Sequence, residues 1–290
     1  MIRLFGSLIG LFFAAMALWA FGTGAYTAAT DPTPETAEKL FHVEPRPLHL
    51  QSDGPLGTWD YAQLQRGYQV YKEVCSACHS MKYVAFRDLS QLSYTEAEVK
   101  AAAAEWTVPG IDPNTGEVDT RKGVPTDYFP SPYPNEIAAR AANNNAVPPD
   151  LSLITKAREG GAAYVHSLIT GYRDPNTFGA EGKKLKQEFP DFTTPTGLYF
   201  NPYFANLNLA MPPPLTTDGQ VTYADGTPAT IDQMATDVAA YLVWTAEPSK
   251  VKRTQTGWAV LGFLLFATIL AYFAKKSVWS TVKPKRRKKA

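Results

Sequence analysis

Soft metal ligands are scarce in this chain: its 290 residues include two cysteines, four histidines and five methionines. A structural zinc site needs a second pair of ligands, and no further cysteine exists to help supply one. Carboxylates are missing from both ends. All 27 Asp and Glu lie between Asp31 and Ser249, alongside only 16 Lys and Arg, so that segment carries −11 behind an overall formal charge of +1. Such acidity argues against nucleic acid and favours basic partners in a salt-sensitive encounter, although most single carboxylates serve only solubility. Strand-like alternation is also sparse, and prolines recur from Pro109 to Pro214. The expected fold is therefore mainly α with extensive coil, in one domain without internal repeats.

The two cysteines stand together in Cys75-Ser76-Ala77-Cys78-His79. Two thiols and an imidazole at this spacing read as an attachment site for one covalent haem c. Each thiol can add across a vinyl group, and the adjacent histidine can ligate iron. A thiol-redox motif is the rival reading, but it belongs at the start of a helix after a buried strand. A helical pattern precedes Cys75 instead.

Both ends carry apolar runs. Residues 1–30 read as an export signal, with Arg3 followed by an uncharged stretch from Leu4 to Thr30. The run is long and shows no clear cleavage site, so an uncleaved membrane segment is the alternative. It lacks the Arg/Ser-rich look of a transit peptide, which favours a bacterial source. Residues 257–274 contain no charge and nearly span a bilayer core at about 1.5 Å per residue, which predicts a transmembrane helix. Trp258, Tyr272 and Trp279 suit its interfaces, and a basic tail occupies residues 275–290. The positive-inside rule then puts this tail in the cytoplasm, where it can touch anionic lipid, and residues 31–250 in the periplasm of a bacterial inner membrane.

Within the exported domain, Asp60 can cap a helix with Gln63 placed to reach back, and Leu64, Tyr68 and Tyr71 share one face. Thr230 and Gln233 repeat the pattern before the stripe Ile231, Met234, Val238, Tyr241 and Leu242, which Pro248 ends. For the sixth iron position, Met81 lies too near His79, Met234 belongs to the stripe, and Met1 and Met16 precede the domain. That leaves Met211, stiffened by Pro212, Pro213 and Pro214. His166 is its main competitor, with His42 and His49 further off. A thioether would raise the reduction potential, and a second imidazole would lower it.

These residues together resemble the cytochrome c1 family, haem subunits of the ubiquinol:cytochrome c oxidoreductase (cytochrome bc1) complex. The likeness runs from about Gly54 to Trp279. It is carried by Leu64 to Tyr71, Cys75 to Met81, Ala141 to Asn144, Pro148-Pro149-Asp150-Leu151-Ser152, Gly197 to Phe204, Ala210-Met211-Pro212 and Asp225 to Thr230. The resemblance implies a c-type cytochrome domain around one haem, with thioether links at Cys75 and Cys78 and axial ligation by His79 and Met211. It also implies Arg158 near a propionate, and Tyr164, Pro149 and Asn143 lining the pocket. As partners it implies cytochrome b, a Rieske iron-sulfur donor and a cytochrome c acceptor in a dimeric complex of a respiratory or photosynthetic chain. Two departures stand out: no extra cysteine pair ties the methionine loop, and His166 occupies a position that the resemblance would make aromatic. The rival functions are a membrane-anchored cytochrome serving a terminal oxidase, and a haem enzyme or sensor with an open sixth site.

Overall fold

The computed structural model describes residues 2–31 and 35–282. Ten α-helical segments occur among them: α1 (Ile2–Thr30), α2 (Ala37–Phe41), α3 (Tyr61–Glu73), α4 (Glu96–Ala104), α5 (Glu136–Ala142), α6 (Ile154–Ala157), α7 (Gly161–Thr170), α8 (Leu185–Glu188), α9 (Ile231–Ala246) and α10 (Lys250–Val282). Two 3-10 segments, Cys75–Ala77 and Phe86–Leu92, and three small antiparallel ladders complete the regular structure: β1 (Thr107–Ile111) with β2 (Val118–Lys122), β3 (Gly179–Ala180) with β4 (Lys183–Lys184), and β5 (Tyr199–Phe200) with β6 (Asn208–Leu209). About half of the chain is helical and most of the rest is coil.

The domain is organised around the crossing of α3 and α9. Asp60 caps α3 by accepting from Gln63 N (3.0 Å), and Thr230 caps α9 by accepting from Gln233 N (3.1 Å). The expected faces are the buried ones, with Leu64, Tyr68 and Tyr71 of α3 meeting Met234, Val238, Tyr241 and Leu242 of α9. Gly67 makes the approach close. A Cβ there would sit 2.1 Å from the Asp237 carbonyl oxygen and 2.6 Å from Tyr241 Cβ, so glycine is required by space.

The glutamines do not reach back as the capping pattern suggested. Gln63 Nε2 (3.2 Å) and Gln233 Nε2 (2.8 Å) both donate to Asp237 Oδ1, a carboxylate wholly buried at the crossing. Arg66 completes the set, with Nε 2.9 Å from Asp237 Oδ2 and Nη1 2.7 Å from Asp225. A buried carboxylate needs this many donors, and they outcompete a local cap.

The loops also carry a core of their own. Ala37, Phe41, Leu185, Phe200 and Leu207 form a second apolar cluster, faced by Phe178, Phe189 and Phe192. Val99 and Ala103 of α4 and Val108 of β1 pack into the main core around α3 and α9, while β2 of the β1–β2 hairpin, paired in register Ile111 to Val118, is exposed. Helices α1 and α10 bury no residue against the domain and are long and apolar enough to cross a membrane. Trp258 Nε1 donates to Pro55 O (3.0 Å), tying the start of the uncharged stretch of α10 to the haem-motif domain. The tail residues Lys283, Lys285, Arg286, Arg287, Lys288 and Lys289 lie outside the described residues.

Candidate haem site

Helix α3 runs directly into the motif. Cys75–Ala77 forms a 3-10 turn, in which Cys78 N (3.1 Å) and His79 N (2.9 Å) both donate to the Cys75 carbonyl. Ser76 Oγ donates to Lys72 O (2.7 Å), and the buried Tyr71 hydroxyl donates to His79 O (3.3 Å). Both thiols are free, Cys75 half-buried and Cys78 exposed. Burial pushes the Cys75 thiol up to about 12, with Cys78 adding to the effect. That is the opposite of the depressed value a thiol oxidoreductase uses.

His79 is held from one side. Its Nδ1 lies 2.8 Å from the Pro149 carbonyl oxygen, which can only accept, so Nδ1 carries the proton and Nε2 keeps a free lone pair. Burial moves the imidazole below its ordinary value, while the Pro149 bond and Asp150 oppose that shift. A neutral ring with a basic Nε2 beside two free thiols is the donor set that covalent haem c requires. The residues present fit that group.

Pro149 is fixed in turn by its neighbour. Asp150 Oδ2 accepts from Ser80 Oγ (2.8 Å) and Lys82 N (2.9 Å), and Oδ1 accepts from Ser152 N (3.0 Å). Leu151 N donates to Ser80 O (2.9 Å), and Tyr83 N donates to the buried Ser152 hydroxyl (3.1 Å). Partial burial works against the Asp150 carboxylate, but these donors hold it below the usual range. Sequence reasoning quoted this segment without assigning Asp150 a part. Its signal was the short Asp-x-Ser spacing that makes an Asx-type turn.

The methionine candidates separate cleanly. Met81 is fully buried with Sδ accepting from Tyr241 Oη (3.3 Å), and Met234 is fully buried in α9, so both belong to the core. Met211 is half-buried in its proline-rich loop, and its carbonyl accepts from Tyr172 Oη (2.9 Å). Burial pushes the Tyr172 phenol well above its ordinary value, and Tyr164 and Tyr199 add to the effect, which places the three rings in one neighbourhood. Tyr172 is a second residue that sequence reasoning missed.

The remaining candidates are distributed as follows. Arg158 is exposed at the end of α6. Tyr164, on α7, is half-buried; burial raises its phenol while the Arg158 charge lowers it, so these two are neighbours. Asn143 ends α5 with its amide on Ala139 O (2.7 Å). The next residue, Asn144, has φ +48° and donates to Gly197 O (3.0 Å), joining this turn to the loop that begins at Gly197. Of the competing histidines, His42 and His49 are exposed. His166 is buried on α7, with Nε2 3.1 Å from Asp232 Oδ1 at the start of α9, and neither ring nitrogen has a well-aligned hydrogen bond among the described residues.

Comparison with known proteins shows the family. Residues 50–282 match the model of the Cytochrome C1 family. Cytochrome c1 of Rhodospirillum rubrum is 46% identical over 242 residues, covering 81% of this chain and 89% of that protein. The mitochondrial heme protein cytochrome c1-2 of Solanum tuberosum is 46% identical over 233 residues, covering 80% and 84%. Cytochrome b/c1 of Bradyrhizobium diazoefficiens is 45% identical over 236 residues, covering 78% of this chain but only 34% of that longer protein. With the haem motif, its supporting carbonyl and a family match over most of its length, the chain belongs to the cytochrome c1 family.

Proposed function

We propose that this chain is the membrane-anchored electron carrier of a ubiquinol:cytochrome c oxidoreductase complex, accepting single electrons from a Rieske iron-sulfur protein and delivering them to a cytochrome c. The observation that carries the reading is the His79 imidazole, fixed by Pro149 and adjacent to two free thiols in a family of cytochromes c1. One covalently bound haem c supplies a one-electron iron couple.

The chain's own residues then have separable tasks. Cys75 and Cys78 would carry the thioether links to the haem. His79 and Met211 would hold the iron, so no substrate atom needs to enter. Arg158 would offset a propionate charge, and Tyr164, Pro149 and Asn143 would keep water from the bound group. Tyr172 steadies the Met211 loop through its hydrogen bond to the backbone.

Helix α10 tethers the domain beside cytochrome b, with the domain on the periplasmic side and Lys275 and Lys276 toward the cytoplasm. Residues 1–30 act as an export signal or a second anchor. The −11 domain steers a basic cytochrome c, and the assembly is dimeric.

Purification of the tagged chain from its own membranes tests the assignment. Cytochrome b and a Rieske protein should accompany it. Isolation with a terminal oxidase instead would overturn the reading, as would a chain without haem absorbance.

A further inference from the structure

The carboxylate of Asp150 directly follows the Pro149 carbonyl that faces His79 and makes no hydrogen bond to the ring itself among the described residues. Its two oxygens collect three donors from two separate segments: Ser80 Oγ and Lys82 N directly after the haem motif, and Ser152 N from its own turn. Two further bonds, Leu151 N to Ser80 O and Tyr83 N to Ser152 Oγ, close the same seam. The carbonyl facing His79 Nδ1 belongs to Pro149, one residue before this carboxylate. Proline fixes its own φ but has no N–H to anchor, and the ψ that aims its carbonyl is left to the residues that follow. The seam made by Asp150 is what fixes the carbonyl opposite the ring.

We infer that Asp150 is a positioning residue for the electron-transfer reaction: it sets the strength of the His79 to Pro149 hydrogen bond, and through it the reduction potential of the haem that His79 ligates. The inference rests on the proposed function, because it needs iron at Nε2. Its physical basis is general. A ring N–H donated to a well-placed carbonyl makes the opposite nitrogen a stronger donor, which favours the oxidised metal. Loosening the carbonyl weakens that donation and favours reduction. The negative charge of Asp150 acts in the same direction through space, so a test must separate geometry from charge.

Three variants in the assembled complex make that separation. Asp150→Ala removes carboxylate and seam, Asp150→Asn removes the charge but leaves one accepting oxygen, and Asp150→Glu keeps the charge but pushes it out of register with Ser80, Lys82 and Ser152. Each would be assayed by potentiometric titration of the c-type absorbance and by the g values of the ferric low-spin signal, with denaturant midpoints recording any general loss of stability.

The expected result is a raised potential in all three, with shifted g values in Asp150→Ala and Asp150→Glu. A wild-type potential and spectrum in Asp150→Glu, together with equal shifts in the other two, would reduce the effect to charge and overturn the inference. Unchanged potentials in all three would overturn it as well. If Asp150→Ala incorporates no haem, the milder two variants still decide. Absence of haem from the wild-type complex would instead count against the proposed function.

Discussion

Replacing Gly67 with alanine is the sharpest perturbation of the scaffold that presents the haem motif. The added Cβ would lie 2.1 Å from the Asp237 carbonyl oxygen, 2.7 Å from its carbon and 2.6 Å from Tyr241 Cβ. Two of these three atoms are backbone and the third is the root of a side chain, so none can swing aside and the helices themselves must part. Overpacking of this kind costs about 3 kcal/mol, the upper end of its usual range. Alanine returns about 1 kcal/mol in helix propensity. The net loss is about 2 kcal/mol, or about 4–8 °C in Tm for a domain of this size. Because α3 continues straight into the Cys75 turn, the displacement reaches the site. Thermal melting of the haem absorbance in the purified complex measures it. A Gly67→Ala protein melting at or above the wild-type temperature would refute the close-crossing argument.

Four other outcomes follow from particular contacts. Arg66→Met leaves the wholly buried Asp237 with only Gln63 and Gln233, and should cost about 3 kcal/mol in denaturant titration; a neutral result would mean that the glutamines suffice. Tyr172→Phe removes the donor to the Met211 carbonyl, a loss of about 1 kcal/mol, and should speed carbon monoxide binding to the ferrous protein; an unchanged rate would detach Tyr172 from the methionine loop. Burial holds the His166 imidazole below its ordinary value, against the opposing pull of Asp232 and in the same direction as Arg46, so the unfolded chain takes up this proton first. That histidine's contribution is therefore lost on acidification below about pH 6.5, and His166→Phe should flatten the fall in denaturant midpoint between neutral and mildly acidic pH; an equal slope would remove His166 from the acid response. Cys75→Ala and Cys78→Ala should each weaken haem retention in a denaturing gel; undiminished haem stain in both would exclude thioether attachment.

Features governed by local chemistry were legible in the sequence. The Cys75 to His79 run, the Asp60 and Thr230 caps, the stripes of α3 and α9 and the uncharged stretch inside α10 all depend on spacing along one segment, and each appears in its expected place. What remained hidden depends on residues far apart in the chain. Gln63 and Gln233 fit a capping pattern, yet a carboxylate more than 170 positions from one of them recruits both. Gly67 gave no sign that another helix would cross it. Asp150 lies 70 residues from the Ser80 hydroxyl it accepts, and Tyr172 lies 39 from Met211. The second apolar cluster combines Phe41 with Phe200 and Leu207, which no periodicity connects. The haem c motif was readable, and the contacts that orient His79 were not.

The direct test of the account is a reduced-minus-oxidised spectrum of the purified complex, recorded before and after exposure of the ferrous protein to carbon monoxide. An iron clamped by His79 and Met211 predicts a c-type spectrum that titrates as a single one-electron couple and is unmoved by carbon monoxide in the wild type, with binding gained in Met211→Leu. Rapid carbon monoxide binding by the wild-type protein, or a spectrum without c-type haem, would contradict it.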